Sequence, residues 1–460
     1  MSDLHVVVLA AGKGTRMKSA HPKMLHKVAG LPMLEHVLGT ASTLGPRSTT
    51  VVVGHQADRV RTAVAGRPGL TFVVQEPQLG TGHALLVTES ALANATGTLV
   101  LLSGDVPLLT AETLRSLVKR HETAHAAATV VTAFVPNPQG YGRIVRTGEQ
   151  IARIVEEKDA SPAERGIREI NSGIYAFDLA GLFDALRSIG AENAQKEYYL
   201  PDLVAIFRSR RRPVETVTVD RIEEIHGINS RGELAAVSRV VRDAKNQTVM
   251  ANGVTLDDPA TTYIDRDVAI GADTIIHPGV SLEGTTVVGV GCEIHSGARI
   301  VNSRIGDNAV VHNHCVITDS ALEAGASVGP FAHVRNGSTV GAAAKVGNFV
   351  EMKKTAFGAK SKSMHLTYLG DAVIGEGVNI GAGTITCNYD GVNKNTTTIE
   401  DGAFVGSDSQ LIAPVTIGKG AYVGSGSTIR ENVPAGSLAV TAGKQRNFEG
   451  WVAKKLRTKK

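Results

Sequence analysis

The sequence feature that most restricts the fold is a six-residue repeat of aliphatic side chains in the second half of the 460-residue chain. The repeat begins with aliphatic residues spaced six apart from Ile264 to Ile300, and it continues after two one-residue shifts in frame as far as Val346. It returns at Ile374 and Ile380 and again from Ile399 to Ile429, and a glycine follows many of these residues. Neither a helical domain nor a doubly wound sheet has a reason to keep a period of six.

The repeat predicts a parallel β-helix with three short faces and about 18 residues in each coil. We expect the aliphatic side chains to point into a narrow interior and the glycines to occupy tight corners where a Cβ atom would strain the backbone. Two segments interrupt the repeat, residues 353–367 and 386–398. We expect both to leave the solenoid as surface loops, which often carry functional residues.

The first half of the chain has a different pattern, in which short apolar runs alternate with polar segments of helical character. This alternation predicts an α/β domain with a mostly parallel sheet. The runs that we interpret as strands are Val6–Ala10, Thr50–Val53, Thr71–Val74, Thr98–Leu102 and Ala128–Phe134.

The two patterns also predict how the chain is divided. Ser230 and Glu233 have the spacing of a capping box, and apolar residues then recur at helical spacing, which predicts a linker helix at residues 230–250. We therefore expect an N-terminal domain at residues 1–229, the β-helix at residues 251–440 and a basic tail at residues 441–460.

Composition argues against several classes of protein. Five of the 48 Lys and Arg residues lie in the last seven positions, so the rest of the chain holds 43 basic and 44 acidic side chains and offers no broad surface for nucleic acid. No apolar stretch approaches the roughly 18 residues of a membrane span, and the run from Val6 lacks the basic flank of a signal peptide. We expect a cytoplasmic protein that binds neither nucleic acid nor membrane.

A glycine-rich motif follows the first predicted strand. It reads Leu9-Ala10-Ala11-Gly12-Lys13-Gly14-Thr15-Arg16-Met17, with Pro22-Lys23 shortly after it. Its glycines let backbone N–H groups approach phosphate oxygens, and Arg16 and Lys23 add positive charge, so the motif predicts polyphosphate binding. It is not a dinucleotide fingerprint, which requires glycine where Met17 stands, nor a Walker loop, which requires four residues between its glycines.

The motif resembles the opening of the sugar-1-phosphate nucleotidylyltransferases. Further segments occur in the order found in that family: Gln75 with Leu79-Gly80-Thr81, Gly104-Asp105-Val106-Pro107, Gly140-Tyr141-Gly142-Arg143, Val155-Glu156-Glu157-Lys158-Asp159, Glu169-Ile170-Asn171 and Asn229. Together with the six-residue repeat, they make the chain resemble, nearly from end to end, the bifunctional N-acetylglucosamine-1-phosphate uridyltransferase and glucosamine-1-phosphate acetyltransferase family. The resemblance implies a Rossmann-like nucleotidyltransferase domain joined by a helix to a left-handed parallel β-helix of hexapeptide repeats.

For the N-terminal domain the resemblance implies uridylyl transfer from UTP to N-acetylglucosamine 1-phosphate with release of pyrophosphate. Arg16 and Lys23 are the implied catalytic residues, and Asp105 and Asn229 are the implied ligands of Mg²⁺, a hard ion that prefers oxygen. The residues implied to bind UTP and the sugar are Leu9, Ala10, Ala11, Gly12, Lys23, Gln75, Gly80, Thr81, Gly140, Glu156, Asn171 and Asn229. Two simpler interpretations stay open, in which Asp105 only caps a turn and Glu156 belongs to an ordinary solvated surface.

For the β-helix the resemblance implies acetyl transfer from acetyl-CoA to the amine of glucosamine 1-phosphate. This reaction needs a base that takes a proton near neutral pH, and His365 is the natural candidate. The segment Thr386-Cys387-Asn388-Tyr389-Asp390-Gly391 resembles the acceptor-site signature of the acetyltransferases. The residues implied to bind these substrates are Arg335, Lys353, Tyr368, Asn379, Ala382, Asn388, Tyr389, Ser407 and Ser425. We interpret His295, His312, His314 and His333 as structural.

The family resemblance also implies a homotrimer whose second site needs more than one chain, and a role in making UDP-N-acetylglucosamine for the cell envelope. Many relatives place an Arg near Ala442, where Lys444 or Arg446 could substitute. Two alternatives stay open. In one, the chain is only a nucleotidyltransferase and the β-helix serves oligomerisation or regulation; in the other, the solenoid is a binding scaffold without catalysis. His365, Asn388 and Tyr389 distinguish the bifunctional enzyme from the first alternative.

Overall fold

The computed structural model describes residues 3–441, 443–452 and 454, and the chain forms two compact units that divide between Val241 and Arg242. Ala442 and residues 455–460 of the predicted basic tail lie outside the described residues. Within the described part of the chain, no helix is both long and apolar enough to cross a membrane.

The N-terminal unit is an α/β fold built on a nine-stranded sheet. Seven of its strands lie side by side in the order Val214–Val219, Ala128–Phe134, Glu169–Asp178, Thr98–Ser103, Leu4–Ala10, Ser48–Val53 and Leu70–Val74. The five predicted strands are therefore confirmed. Leu4–Ala10 lies at the centre and pairs in parallel with a strand on each side.

Sequence reasoning missed four strands of this sheet. Glu169–Asp178 runs antiparallel to both of its neighbours and bulges between Asn171 and Tyr175, where a polar Asn-Ser-Gly segment interrupts the apolar pattern. Arg143–Thr147 and Gln150–Val155 form a hairpin beside it, and Val214–Val219 forms one edge. The sheet is therefore mixed, with its parallel part at the centre.

Both faces of the central strands are buried. Val6 and Val8 belong to one apolar core and Val7 belongs to another, because successive side chains of a strand point to opposite faces of the sheet. This explains why the strand is a continuous apolar run rather than an alternating one.

The helices of the unit are Met33–Ser42, Ala57–Ala63, Thr81–Leu86, Ala111–Thr123, Pro162–Arg165, Leu182–Leu186 and Asp202–Ser209. Its 3-10 turns are Thr15–Met17, Lys23–Leu25, Glu89–Leu92 and Ile222–Ile225, and a small hairpin pairs Lys27–Val28 with Leu31–Pro32.

A single helix, Arg231–Ala251, contains the division between the two units. Its start is fixed by the capping box expected from the sequence. The hydroxyl of Ser230 accepts a hydrogen bond from the Glu233 N–H at 3.2 Å, and the Glu233 carboxylate accepts one from the Ser230 N–H at 2.9 Å.

The C-terminal unit is a left-handed parallel β-helix with three parallel sheets, which we call the first, second and third faces. The first face consists of Thr255–Leu256, Ile275–Ile276, Glu293–Ile294, Val310–Val311, Ser327–Val328, Lys345–Asn348, Lys362–His365, Asn379–Ile380, Phe404–Val405, Tyr422–Val423 and Leu438–Ala439. The second consists of Tyr263–Ile264, Ser281–Glu283, Arg299–Val301, Val316–Thr318, His333–Arg335, Glu351–Lys353, Tyr368–Gly370, Ile385–Cys387, Gln410–Ile412 and Thr428–Ile429. The third consists of Ala269–Ile270, Val287–Val288, Arg304–Ile305, Ala321–Leu322, Thr339–Val340, Ala356–Phe357, Ala372–Ile374, Thr397–Ile399 and Val415–Ile417.

The repeated aliphatic residues fill the interior of the β-helix, as predicted. Ile276 pairs with Ile294, which pairs with Val311, and all three are fully buried. The first of these coils uses 18 residues and the second 17, so the frame shifts in the sequence are coils shortened by one residue.

One of the two predicted interruptions is wrong. Residues 353–367 do not leave the solenoid, because Met352, Phe357 and Ser363 occupy interior positions and are almost fully buried. A repeat defined by Val, Ile and Leu alone cannot recognise a coil that uses these three residues instead. The second interruption is confirmed: Asn379–Ile380 pairs with Phe404–Val405, 25 residues further on, so the chain leaves the coil between Cys387 and Thr397.

The expectation that the repeated glycines relieve backbone strain at corners is wrong for two of them. Gly306 and Gly341 do not adopt a left-handed backbone, so strain at a corner does not explain them. A Cβ atom at Gly306 would lie 2.7 Å from the backbone nitrogen of Ala324, and one at Gly341 would lie 2.6 Å from that of Ala359. These glycines are required because the next coil passes too close for any side chain.

Two buried serines of one coil allow a matched test of how much hydrogen bonding of an interior hydroxyl contributes to stability. The Ser361 hydroxyl donates to the Gly375 carbonyl at 2.7 Å and accepts from the Val378 N–H at 2.9 Å, whereas the Ser363 hydroxyl has no partner among the described residues. We expect Ser361→Ala to lower the free energy of unfolding by about 1–3 kcal/mol, and Ser363→Ala to leave it unchanged or raise it by about 1 kcal/mol. Urea denaturation, monitored by hydrogen exchange of this coil's amides, measures the free energy of unfolding of both variants. Equal losses of stability in the two variants would contradict the assignment.

Candidate active sites

The N-terminal unit contains an open cleft of about 990 Å³ at the carboxyl ends of its central parallel strands. Ligands of α/β sheets characteristically bind at this edge. Eight of the predicted residues line the cleft: Leu9, Ala11, Gly12, Lys23, Gln75, Gly80, Thr81 and Asp105. Ala10 is buried within its strand, and Arg16 is exposed and does not line the cleft.

Lys23 is buried in this cleft and is held by two distant parts of the chain. Its ammonium donates hydrogen bonds to Asp105 Oδ2 at 2.5 Å and to Asn229 Oδ1 at 2.7 Å. Gly14 has a left-handed backbone, with a φ of 62°, and a Cβ atom there would lie 2.6 Å from the Cβ of Lys23. The second glycine of the motif is therefore needed so that the loop can pack against Lys23.

Asp105 and Asn229 direct one carboxylate oxygen and one amide oxygen at the same point, which the Lys23 ammonium occupies. A backbone hydrogen bond from Ile228 N–H to the Asp105 carbonyl, 3.0 Å long, keeps the two segments together. Oxygen ligands of this kind suit Mg²⁺, and a cation already lies between them, so the pair fits the predicted metal. Asp105 thus does more than cap a turn.

Opposite the glycine-rich motif, Gln75 and the loop after it form another wall of the cleft. The Gln75 amide donates to the Gly80 carbonyl at 2.9 Å, and the Thr81 hydroxyl accepts from the Leu200 N–H at 3.2 Å. Sequence reasoning missed Gln78, whose amide donates to the Ala11 carbonyl at 2.5 Å and so joins this wall to the motif. Gln78 lies between two segments that match the family, Gln75 and Leu79-Gly80-Thr81, and this position is the sequence feature that could have identified it.

Gly140, Glu156 and Asn171 form a separate cluster that does not line the cleft. The Gly140 N–H donates to Glu157 at 3.0 Å, while Asn171 Oδ1 accepts from the Tyr175 hydroxyl at 2.9 Å. Burial raises the pKa of Glu156, and the nearby carboxylates of Asp159 and Asp202 raise it further. Glu156 is therefore not an ordinary solvated side chain.

In the β-helix, four predicted residues form one row along the corner that follows the first face. Ser363, Ile380, Val405 and Val423 are successive partners in that face, so the residues two positions after each of them are also neighbours. We call this row the corner row; it consists of His365, Ala382, Ser407 and Ser425. Hydrogen bonds from Asp408 N–H to the Ala382 carbonyl and from Gly426 N–H to the Ser407 carbonyl hold its coils together.

His365 is exposed at the start of the corner row, and its ring is oriented by a residue that sequence reasoning missed. Asn348 pairs with His365 on the first face, and its Oδ1 lies 2.9 Å from His365 Nδ1. An amide oxygen only accepts hydrogen bonds, so this contact places the proton on Nδ1 and leaves the lone pair on Nε2. Nε2 is thus free to accept a proton.

The other predicted residues of this unit lie in strands of the second face, in the loop that follows one of those strands, or in a strand of the first face. Arg335 pairs with Lys353 in neighbouring strands of the second face, and Arg335 also bonds Glu351 at 2.9 Å. Asn379 lies on the first face, between Lys362 and Phe404. Tyr368, Asn388 and Tyr389 complete the set, with Tyr389 exposed in the loop.

Asp371 links several of these groups and had no signal in the sequence. Its carboxylate lies 3.8 Å from the Lys353 ammonium and accepts a hydrogen bond from the Asn388 amide. The ammonium of Lys353 lies against that of Lys394 in the loop and lowers the pKa of Lys394. Lys353, Lys394 and Asp371 therefore bring two ammonium groups and one carboxylate together beside the second face.

Comparison with known protein families agrees with the two halves of the structure. A model of the MobA-like NTP transferase domain matches residues 6–169. A model of the GMPPB C-terminal domain matches residues 247–365, and six bacterial transferase hexapeptide repeats match residues 396–431.

Comparison with individual proteins extends the similarity to the whole chain. The chain is 48% identical over 461 residues to the bifunctional protein GlmU of Pelobacter propionicus, with 100% of both chains covered. It is 49% identical to that of Trichlorobacter lovleyi, with 98% of each covered, and 48% identical to that of Geobacter sulfurreducens, with 99% of each covered. Identity at this level along the full length of both units means that the chain belongs to the GlmU family of bifunctional proteins.

Proposed function

We propose that the chain makes UDP-N-acetylglucosamine in two steps, as an acetyltransferase and a uridylyltransferase. Acetyl-CoA first acetylates glucosamine 1-phosphate at the β-helix, and UTP then uridylylates N-acetylglucosamine 1-phosphate at the N-terminal cleft. The observation that carries the proposal is the end-to-end similarity to bifunctional relatives, combined with one cluster of reactive side chains in each unit. A nucleotidyltransferase with a purely structural β-helix has no need for the oriented imidazole of His365.

Uridylyl transfer requires a phosphate oxygen of the sugar to attack the α-phosphorus of UTP while the bond to the pyrophosphate oxygen breaks. The barrier arises mainly from bringing anions together and from the charge of the transferring group. Lys23, buried in the cleft, supplies one positive charge to these phosphates, and Arg16, in the exposed turn that follows the glycine-rich loop, would supply a second. Asp105 and Asn229 would hold Mg²⁺, which when bound adds further positive charge for the same purpose.

The base is held by residues of the cleft, and the sugar by Thr81 of the cleft together with the separate cluster of Gly140, Glu156 and Asn171. Gln75, with the backbone of Ala11, Gly12 and Gly80, presents donors and acceptors to the uracil edge. Thr81, Gly140, Glu156 and Asn171 bind the N-acetylated sugar. The carboxyl of Glu156, whose pKa is raised by burial and by the carboxylates of Asp159 and Asp202, can accept a hydrogen bond from a sugar hydroxyl.

Asp105→Ala and Lys23→Met test this assignment. Each variant removes a group that meets the phosphates or their metal, so we expect pyrophosphate release to fall on the order of 100- to 1,000-fold. Release of CoA in the same preparation should stay at its original rate, which provides an internal control for folding. Equal loss of both activities in a folded variant would contradict two independent sites.

Acetyl transfer begins when His365 Nε2 takes a proton from the ammonium group of glucosamine 1-phosphate. The resulting amine nitrogen forms a bond to the thioester carbonyl carbon, the C–S bond breaks, and the second proton that the nitrogen loses goes to the departing CoA thiolate. Asn348 is the positioning residue for the imidazole. Arg335, Lys353, Tyr368 and Asn379 bind the sugar phosphate, and Asn388 and Tyr389 position the thioester.

The corner row provides the path for acetyl-CoA. Adjacent parallel strands are about 4.8 Å apart, so the three steps from His365 to Ser425 span about 14 Å. A row of small side chains of this length, formed by Ala382, Ser407 and Ser425, suits the extended pantetheine arm. Substitution by large side chains at these positions would obstruct it.

His365→Ala and two variants of Asn348 test the base. We expect His365→Ala to lower CoA release by about 100- to 10,000-fold while pyrophosphate release from UTP continues. Asn348→Ala should lower CoA release less. Asn348→Asp should retain activity and move the acid limb of the pH–rate profile to higher pH, because a carboxylate beside the imidazole favours its charged form. An unchanged profile in Asn348→Asp would contradict the positioning role.

An apolar ridge beside His365 supports a homotrimer. The ridge consists of Phe331, Phe349 and Leu366, which follow one another in successive coils, are 49%, 54% and 64% exposed, and all have left-handed backbones. The rings of Phe331 and Phe349 stack with their centroids 5.4 Å apart. Exposed apolar groups held in a costly backbone conformation favour burial against another copy, which would bring a second chain next to His365.

Phe349→Asp tests the assembly. A buried, unpaired carboxylate in the interface should shift the protein from trimer to monomer and reduce CoA release, while pyrophosphate release continues. Analytical ultracentrifugation and the two activity assays measure this, with Val290→Asp, at an exposed position away from the ridge, as the control. A trimer that persists in Phe349→Asp would contradict the role of the ridge.

We further propose that the enzyme works in the cytoplasm, where UTP and acetyl-CoA are available, and supplies precursors of peptidoglycan and lipopolysaccharide.

A further inference from the structure

A ladder of three histidines lies on the first face of the β-helix, in coils that contain none of the residues assigned above. His277, His295 and His312 each follow a strand of that face, and their strands are direct neighbours. The rings stack with centroids 4.8 Å apart between His277 and His295 and 5.2 Å apart between His295 and His312. We call this set the histidine ladder.

Two carboxylates accompany the first two rings of the ladder. Asp257 Oδ2 lies 2.7 Å from His277 Nδ1 on one side. On the other side, Glu293 Oε1 lies 3.2 Å from His277 Nε2 and 3.4 Å from His295 Nε2. His277, Glu293 and His295 are all half-buried, and one ligand atom of each lies within 4.8 Å of the other two.

Both nitrogens of His277 face carboxylate oxygens, and a neutral imidazole has one N–H with which to satisfy them. With the proton on Nδ1 toward Asp257, the lone pair on Nε2 points at Glu293. A second proton on His277 would bridge this contact, but it would leave His295 Nε2, 3.4 Å from the same carboxylate oxygen, unused. A metal ion between the three groups would use both imidazole lone pairs and the carboxylate.

The distances match a tetrahedral ion. Zinc lies about 2.0–2.2 Å from nitrogen and oxygen ligands, which places neighbouring ligand atoms of a tetrahedron roughly 3.3–3.5 Å apart. The two nitrogen-to-oxygen distances to Glu293, 3.2 and 3.4 Å, already agree with this value. A small tilt of the two rings would complete the third edge. Asp257 stands where metal-binding histidines usually have a carboxylate, on the ring nitrogen that does not bind the metal.

We propose that His277 Nε2, His295 Nε2 and Glu293 Oε1 bind one divalent transition-metal ion of the zinc class, with water in the fourth position. Imidazole nitrogen favours such an ion over Mg²⁺ or Ca²⁺, which prefer oxygen alone. The ion joins two adjacent coils near the start of the β-helix and, through Asp257, the coil before them. His312 is not a ligand, because its Nε2 is 3.1 Å from the Ser327 hydroxyl and outside the cluster.

Metal binding by the full-length protein tests this site. After treatment with a chelator, the protein is titrated with Zn²⁺ by calorimetry and with Co²⁺ by visible absorption, since tetrahedral Co²⁺ absorbs far more strongly than octahedral Co²⁺. We expect one tetrahedral Co²⁺ site per chain, distinguished by its spectrum from octahedral binding at Asp105 and Asn229, and weakening of Zn²⁺ binding at this site by at least about tenfold in His295→Ala, in Glu293→Gln and in Asp257→Asn.

His312→Ala is the matched control, because it shortens the same stack of rings without removing a ligand. It should bind Zn²⁺ as the original protein does and keep the Co²⁺ spectrum. Absence of a tetrahedral Co²⁺ spectrum in the original protein would overturn the proposal, as would equal weakening in His312→Ala and His295→Ala. Pyrophosphate release verifies that the N-terminal unit of each variant is folded, and circular dichroism verifies the β-helix.

Discussion

The spacing of about 4.8 Å between adjacent parallel strands is the constraint on which the β-helix depends. It stacks the interior side chain of each strand directly over its partner in the next coil, which explains the recurring aliphatic residues between Ile264 and Ile429 and the tolerance for Met352 and Phe357. It also leaves no room for a Cβ atom where successive coils touch, so that Gly306 and Gly341 meet the backbone of the next coil directly. The six-residue repeat therefore follows from three faces of about six residues in each coil, stacked in register.

The same spacing arranges the outer surface into rows of like position. Residues that lie far apart in sequence, such as His365 and Ser425, come into one row because each coil repeats the register of the coil before it. The corner row, the apolar ridge and the histidine ladder all arise in this way. A solenoid thus turns small sets of separated residues into linear sites. Among the coils that the structure describes, the one lengthened by several residues carries Asn388 and Tyr389.

The N-terminal cleft depends on a different geometry, the convergence of loops at one edge of a parallel sheet. Lys23, Asp105 and Asn229 come from three distant segments, and a single ammonium joins them. Because Lys23 is buried, removal of either oxygen partner would leave its charge poorly compensated. The same two oxygens suit a divalent cation, which connects the packing of the glycine-rich motif to the proposed chemistry of the phosphates.

Local patterns in the sequence were enough to predict the two architectures, the central strands, the linker helix with its Ser230 cap, and eight residues of the cleft, because period, capping and motif spacing are local properties. It did not reveal the antiparallel strand Glu169–Asp178, whose bulge disrupts the pattern, or the coil at residues 353–367, whose interior residues are not aliphatic. Asn348 and Asp371 were found only in the folded chain. Their partners lie 17 and 18 residues away, and contacts at such separations depend on the register between coils, which no local pattern encodes.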